Sequence, residues 1–168
     1  RSNLSGFGTQ TSSIAAGGYT TTDVAVVESY NGTAFTEVAD LNSARRGTGS
    51  AGSDTTAGIT FGGGGGGASP GVNICLNESW NGSSWTEVGD LNTGRQLITG
   101  TGTQTAALGI GGGTNPGSTN VESWDGSSWT EIADLNQLRN AGAASGLSPS
   151  AVFFGGYTTT DVANTENW

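Results

Sequence analysis

The segment VESYNGTAFTEVADLNSAR (27–45) returns as NESWNGSSWTEVGDLNTGR (77–95) and again as VESWDGSSWTEIADLNQLR (121–139), and a further copy begins at Thr165. Aligned on their arginines, the units open at Arg1, Arg45, Arg95 and Arg139, at spacings of 44, 50 and 44 residues. A repeat of this kind rules out one layered core, because each unit buries its apolar face only by packing on the next. Periods of about 40–50 residues are those of four-stranded propeller blades. GGYTTTDVA stands at 17–25 and, letter for letter, at 155–163, so the first and fourth units share one plan. The units are 1–44, 45–94, 95–138 and an incomplete 139–168.

The third unit gives the strands. RQLITGTG (95–102) reads as a short first strand of small residues, and AALGIGG (106–112) as an apolar second strand ended by glycines. GTNPGST is a loop by its turn residues, NVESW (120–124) the third strand and SSWTEIADL (127–135) the fourth. Between third and fourth strands stand Asn31-Gly32, Asn81-Gly82 and Asp125-Gly126. Such dipeptides signal a hairpin, because both central residues of a type I′ turn need positive φ. A two-residue loop sets Trp80 opposite Ser83, and a four-residue loop sets it opposite Trp85. In both registers the two rings share one face, since side chains alternate with period two. Tyr30/Phe35 and Trp124/Trp129 repeat the arrangement. Rings of this size bury about 150–250 Å² each. Their recurrence marks Trp80, Trp85, Trp124 and Trp129 as blade-to-blade packing rather than a carbohydrate platform.

Charge follows the same period. Glu28, Glu78, Glu122 and Glu166 share one position, Glu37, Glu87 and Glu131 a second, and Asp40, Asp90 and Asp134 a third. Catalytic residues break a repeat's symmetry and structural ones obey it. Arg45, Arg95 and Arg139 are therefore expected to pair with these carboxylates, between neighbouring blades or across the ADLN turn.

The net charge is -9 and all five cations are arginine. Such a chain builds no basic face to neutralise phosphates, and it is repelled by anionic lipid. No run approaches the roughly 20 apolar residues of a membrane span. Nucleic acid and membrane insertion are thus not expected, and a Thr-, Ser-, Asn- and Gly-rich surface without lysine suits an extracellular or virion location. Cys75 is the single cysteine, aligned with Ala25, Thr119 and Ala163, and reads as a small buried residue. A thiol nucleophile wants a histidine partner, and the chain has none.

Apolar strands ending at Gly17-Gly18, Gly62-Gly63, Gly111-Gly112 and Gly155-Gly156 are followed by a first aromatic (Tyr30, Trp80, Trp124, Trp168) and a second (Phe35, Trp85, Trp129), and then by the arginine of the next unit. This order resembles the kelch repeat over the whole chain, with a shorter hairpin between the aromatics than is usual. The wording is similar to kelch-like repeats in proteins of phages and environmental bacteria. The resemblance implies an all-β, kelch-like β-propeller of four-stranded antiparallel blades with a binding role, about four blades in this chain, the last lacking its outer strand.

Several chemistries fail on the residues. Copper radical oxidases on kelch-type propellers need histidine ligands. SWDGSSW (123–129) places its Gly and Trp one residue too early for the Asp box S-x-D-x-G-x-x-W. Only Asp23, Asp54, Asp125 and Asp161 lie outside the repeated acidic positions, and they form no opposed pair for glycoside hydrolysis. The run FGGGGGGAS (61–69) has neither the strand-to-helix context nor the lysine of a phosphate loop. Isolated acids at Asp23, Asp54 and Asp161 lack the dense oxygen ligands of a calcium site. No enzyme activity, metal or cofactor is expected.

In a meander, the loops between second and third strands share one rim with the ADLN links, and the short hairpins share the other. The second-to-third loops vary in length and content on a regular scaffold, which is where ligand contact resides. The expected binding face is Tyr19, Asp23, Ser69, Asn73, Asn115, Asn120, Tyr157 and Asp161, residue types that suit a hydroxyl-rich ligand. The expected role is a virion (tail fibre-like) or cell-surface recognition module for a host glycan or protein. The alternative is a structural subunit docking other components of an assembly, and a glycan-active enzyme ranks behind both. The final unit ends before a fourth strand. A fragment of a longer propeller is the favoured account, beside a trimmed blade and a homo-oligomer that completes the open last blade.

Overall fold

Each Asn-Gly or Asp-Gly opens a four-residue loop. In the computed structural model, which describes residues 1–65, 72–113 and 117–167, Trp85 stands directly opposite Trp80, Trp129 opposite Trp124 and Phe35 opposite Tyr30. The glycine alone takes positive φ, 93° at Gly82, so this is not the two-residue turn that the dipeptide signals. The Asn81 side chain decides the outcome: its Oδ1 accepts from the Ser83 and Ser84 amides, each at 2.9 Å, an Asx-type closure that competes with the tighter hairpin. Asp125 does the same with the Ser127 and Ser128 amides at 2.8 Å. Those bonds, the Ser128 amide first, hold its carboxyl down at about 2. A depressed folded-state pKa contributes stability that is present above the ordinary carboxylate range and is lost as pH falls through about 2. Asp125→Asn keeps the acceptor without the charge. We expect the variant to melt slightly below the parent at neutral pH and to lose less of its melting temperature between pH 4 and pH 2 in a thermal scan.

The strands follow in chain order. The first sheet holds β1 (Ser5–Thr9), β2 (Ser12–Ala16), β3 (Val27–Tyr30) and β4 (Phe35–Val38). After the two-residue β5 (Arg45–Arg46) come β6 (Gly49–Asp54) and β7 (Ala57–Phe61), then β8 (Gly64–Gly65), which pairs with β5, and then β9 (Asn77–Trp80) and β10 (Trp85–Val88). The third sheet is β11 (Thr99–Gly102), β12 (Ala107–Ile110), β13 (Val121–Trp124) and β14 (Trp129–Glu131). The fourth is β15 (Ala143–Leu147), β16 (Ser150–Phe154) and β17 (Thr165–Asn167). Within every sheet, the strands lie side by side in sequence order and antiparallel. The described residues contain no helix. The four sheets form the blades of a four-bladed β-propeller, with β1, β6, β11 and β15 innermost around two adjoining cavities of about 280 and 260 Å³. The inner strands begin later than their sequence suggests. Asn3, Leu97 and Ala141 take left-handed φ of 51–53°, and Gly47 takes 61°. This turn separates each unit's arginine from its inner strand.

Glycine is abundant because large rings cross the seams onto bare backbone. A Cβ at Gly58 would lie 2.3 Å from the Phe7 ring of the preceding blade, so no side chain fits there. Blade 1 contributes Phe7, Ile14, Ala16, Val27 and Leu41 to a core that Trp80 and Trp85 of blade 2 complete. The next seam sets Ile59, Phe61 and Leu91 against Ile98, Trp124 and Trp129. The third joins Leu108, Ile110, Val121 and Leu135 to Ala151 and Phe153. Near the centre, hydroxyls replace rings: Ser50 donates to the Gly6 carbonyl at 2.8 Å and Thr101 to the Gly146 carbonyl at 2.7 Å. Among the described residues no buried apolar cluster joins blade 4 to blade 1. Phe35 is 58% exposed and Phe154 is 43% exposed.

The unit arginines pair with recurring carboxylates, Arg45, Arg95 and Arg139 buried and Arg1 exposed, but not between blades or across the ADLN turn. Arg45 meets Glu78 at 2.8 Å and Arg95 meets Glu122 at 2.7 Å, and Arg1–Glu28 and Arg139–Glu166 follow the same rule. Each pair lies inside one blade rather than between two. Asparagine of the ADLN link makes the connection across the seam. The second oxygen of Glu78 accepts from both the backbone and the side-chain nitrogen of Asn42 at 2.8 Å, and Glu122 accepts likewise from Asn92. Burial lowers the Arg45 guanidinium from its ordinary value, and Glu78 opposes that shift. Two buried ions demand partners on both sides, and of the Arg45 nitrogens only Nε is left without one.

Candidate functional site

With the seams occupied by rings and ion pairs, the varied residues are left at the rim. The links and the second-to-third loops do share it: the Leu41, Leu91 and Leu135 amides donate to the carbonyls of Ala25, Cys75 and Thr119. The hairpins lie at the other rim, where Trp80 Nε1 donates to the Thr55 carbonyl and Trp124 Nε1 to that of Gln104. Asp54 belongs to that hairpin rim and is taken up by Thr56, whose amide and hydroxyl reach it at 2.7 and 2.6 Å and keep its carboxyl below the usual range.

The two copies of GGYTTTDVA fold alike. Gly17 and Gly155 have φ of 64° and 67°, Gly18 and Gly156 of 111° and 105°. In both, the amide of the first Thr donates to the carbonyl two residues further on, Thr20 to Thr22 and Thr158 to Thr160, each at 3.0 Å. Tyr19 bridges Asp23 as Tyr157 bridges Asp161, and each tyrosine also pairs with the start of its own unit, at Ser2 and Asn140.

Their side chains meet different surroundings. Arg46 of blade 2 lies over the Tyr19 ring, its Cζ 4.5 Å from the centroid, and its Nη1 is 3.1 Å from Asp23 Oδ1. Tyr19 and Asp23 are half-buried and already partnered. Tyr157 is 38% exposed and Asp161 is exposed, with no ion pair among the described residues. Asn73 is exposed and its backbone bridges Gly64, while Asn120 accepts from the Ser118 hydroxyl at 2.9 Å. Ser69 and Asn115 lie outside the described residues. Of the described members, Tyr19 and Asp23 are joined in one loop and Tyr157 and Asp161 in another.

The sequence reading passed over Arg46. It is the one arginine that does not open a unit, so by the symmetry criterion it was the cation to single out. All five arginines are ion-paired, leaving no unpaired guanidinium on the surface. Among the described residues, no three His, Cys, Asp or Glu side chains gather into a group that could hold a metal ion. Cys75 is partly buried against the second seam, and that burial raises its thiol above the ordinary value. No family model matches the chain, and no curated protein matches it.

Proposed function

We propose that this chain is a non-enzymatic recognition propeller, a kelch-like module of a virion, such as a tail fibre, or of a bacterial cell surface, that contacts a host glycan or protein through the rim of second-to-third loops. The observation that carries this reading is the division of labour along each unit. Most of the recurring rings, arginines and link asparagines are consumed in the seams, whereas the rim loops of blades 2 and 3 differ from each other and from the loop that blades 1 and 4 share. Rigid elements that present variable loops are how binding surfaces are ordinarily built. The paired arginines leave a negative surface, consistent with work outside the cell and away from nucleic acid.

The test is glycan-array and host-cell binding of the whole protein, with Tyr157→Ala as the rim variant. We expect a loss of about tenfold or more, the scale of one truncated interface anchor, with melting unchanged. Full binding by the variant, or no binding to any host surface by the parent, contradicts the reading. A second reading, a subunit that assembles into a phage particle or surface layer, is favoured by the exposed rings of Phe35 in blade 1 and Phe154 in blade 4. It predicts a native mass that is a multiple of the chain mass.

A further inference from the structure

We infer that Tyr157 and Asp161 form a receptor for the guanidinium group of an arginine side chain from outside residues 1–168. This deepens the recognition reading, because it names a ligand chemistry for one station on the rim, and it rests on that rim being a contact surface.

The argument is an internal comparison. One nonapeptide occurs twice with the same backbone, the same glycine conformations and the same internal hydrogen bonds. In the first copy the tyrosine ring and the aspartate grip Arg46, face-on at 4.5 Å and through a 3.1 Å ion pair. In the second copy the same two side chains stand on the same loop with no cation between them among the described residues. Tyr157 is further fixed by its hydroxyl, which donates to the Thr159 carbonyl at 3.1 Å. A planar guanidinium stacks on an aromatic face while donating to a carboxylate at its edge; a compact ammonium satisfies only the second contact.

At three seams the residue after the unit arginine reaches back over the preceding blade's loop. Arg46 reaches Asp23, Asn140 donates to the Gly113 carbonyl at 3.3 Å, and Gln96 lies 2.5 Å from where a Gly64 Cβ would stand. No residue of the chain takes that place over the loop of blade 4 among the described residues. The chain's own arginines are all paired, so the guanidinium comes from elsewhere.

The experiment is a titration of the isotope-labelled whole protein with N-acetyl-arginine amide, followed by amide chemical shifts. We expect saturable shifts over residues 157–161 and binding about two- to fivefold weaker for N-acetyl-lysine amide, the size of an exposed cation–π contribution. Asp161→Asn and Tyr157→Leu, both on an exposed loop, should each abolish the response. Arg46→Ala should vacate the first copy, so that residues 19–23 respond as well and two sites titrate. Absence of shifts at 157–161, equal binding of the lysine amide, or a folded Arg46→Ala protein with no response at 19–23 would overturn the assignment. If Tyr157→Leu removes host-surface binding while arginine amide does nothing, the rim is the contact surface and guanidinium is not its ligand. Arginine binding without host-surface binding retains the receptor and removes the host-recognition reading.

Discussion

Arg95→Ala is expected to destabilise the protein by about 3–5 kcal/mol, the range for removing one partner of a buried ion pair. Arg95 and Glu122 are 2% and 1% exposed at their side chains and 2.7 Å apart. Arg95 also donates from Nε to the Gly111 carbonyl at 2.8 Å and from Nη2 to the Gly109 carbonyl at 3.3 Å. Truncation leaves a buried carboxylate held only by Asn92, and it strips the donors from two glycine carbonyls in the seam. Arg1→Ala removes the same pair at the outer face, where Glu28 is 40% exposed, and should cost no more than about 1 kcal/mol. Urea denaturation of both variants is the check. Equal effects would mean that burial in the seam does not govern these pairs.

The aromatic pairs give the second large effect. Trp85→Ala should lose about 3–5 kcal/mol, as large-to-small changes at buried rings do. Trp85 is 7% exposed, meets the Phe7 ring edge-on at 6.4 Å and 77°, and donates from Nε1 to the Ala39 carbonyl at 3.1 Å. Its removal opens the seam between blades 1 and 2 on both its apolar and its polar side. Phe35 holds the same repeat position, yet it is 58% exposed, and among the described residues its ring contact is with Tyr30 of its own blade. Phe35→Ala should therefore change stability by less than about 1 kcal/mol, a contrast that thermal unfolding of the two variants would reveal.

The propeller was legible in the sequence because a fixed period forces equivalent strands to equivalent places, and parity put Trp80 and Trp85 on one face for a two- or a four-residue loop alike. Loop length was not legible, since Asn81-Gly82 supports either closure and the asparagine side chain selects the longer one. The arginine pairing was misplaced for a topological reason. Arg95 precedes the innermost strand and Glu122 lies two strands further out, so sequence distance gave no sign that both reach into one seam. The role of Asn92 was hidden in a link read as a turn. At the rim the sequence located the loops but could not distinguish an engaged nonapeptide from a vacant one, because the difference lies in Arg46, on another blade.

The central claim is that the paired rings are spent in the seams, leaving the rim for recognition. Hydrogen exchange of the indole N–H groups tests it most directly. Trp80, Trp85 and Trp124 should exchange slowly, each buried and donating to a backbone carbonyl, and Trp129, buried against the Phe61 ring at 4.6 Å, should also be protected. Exchange of Trp85 and Trp129 at the rate of a free indole would place those rings in solvent as a platform and contradict the account.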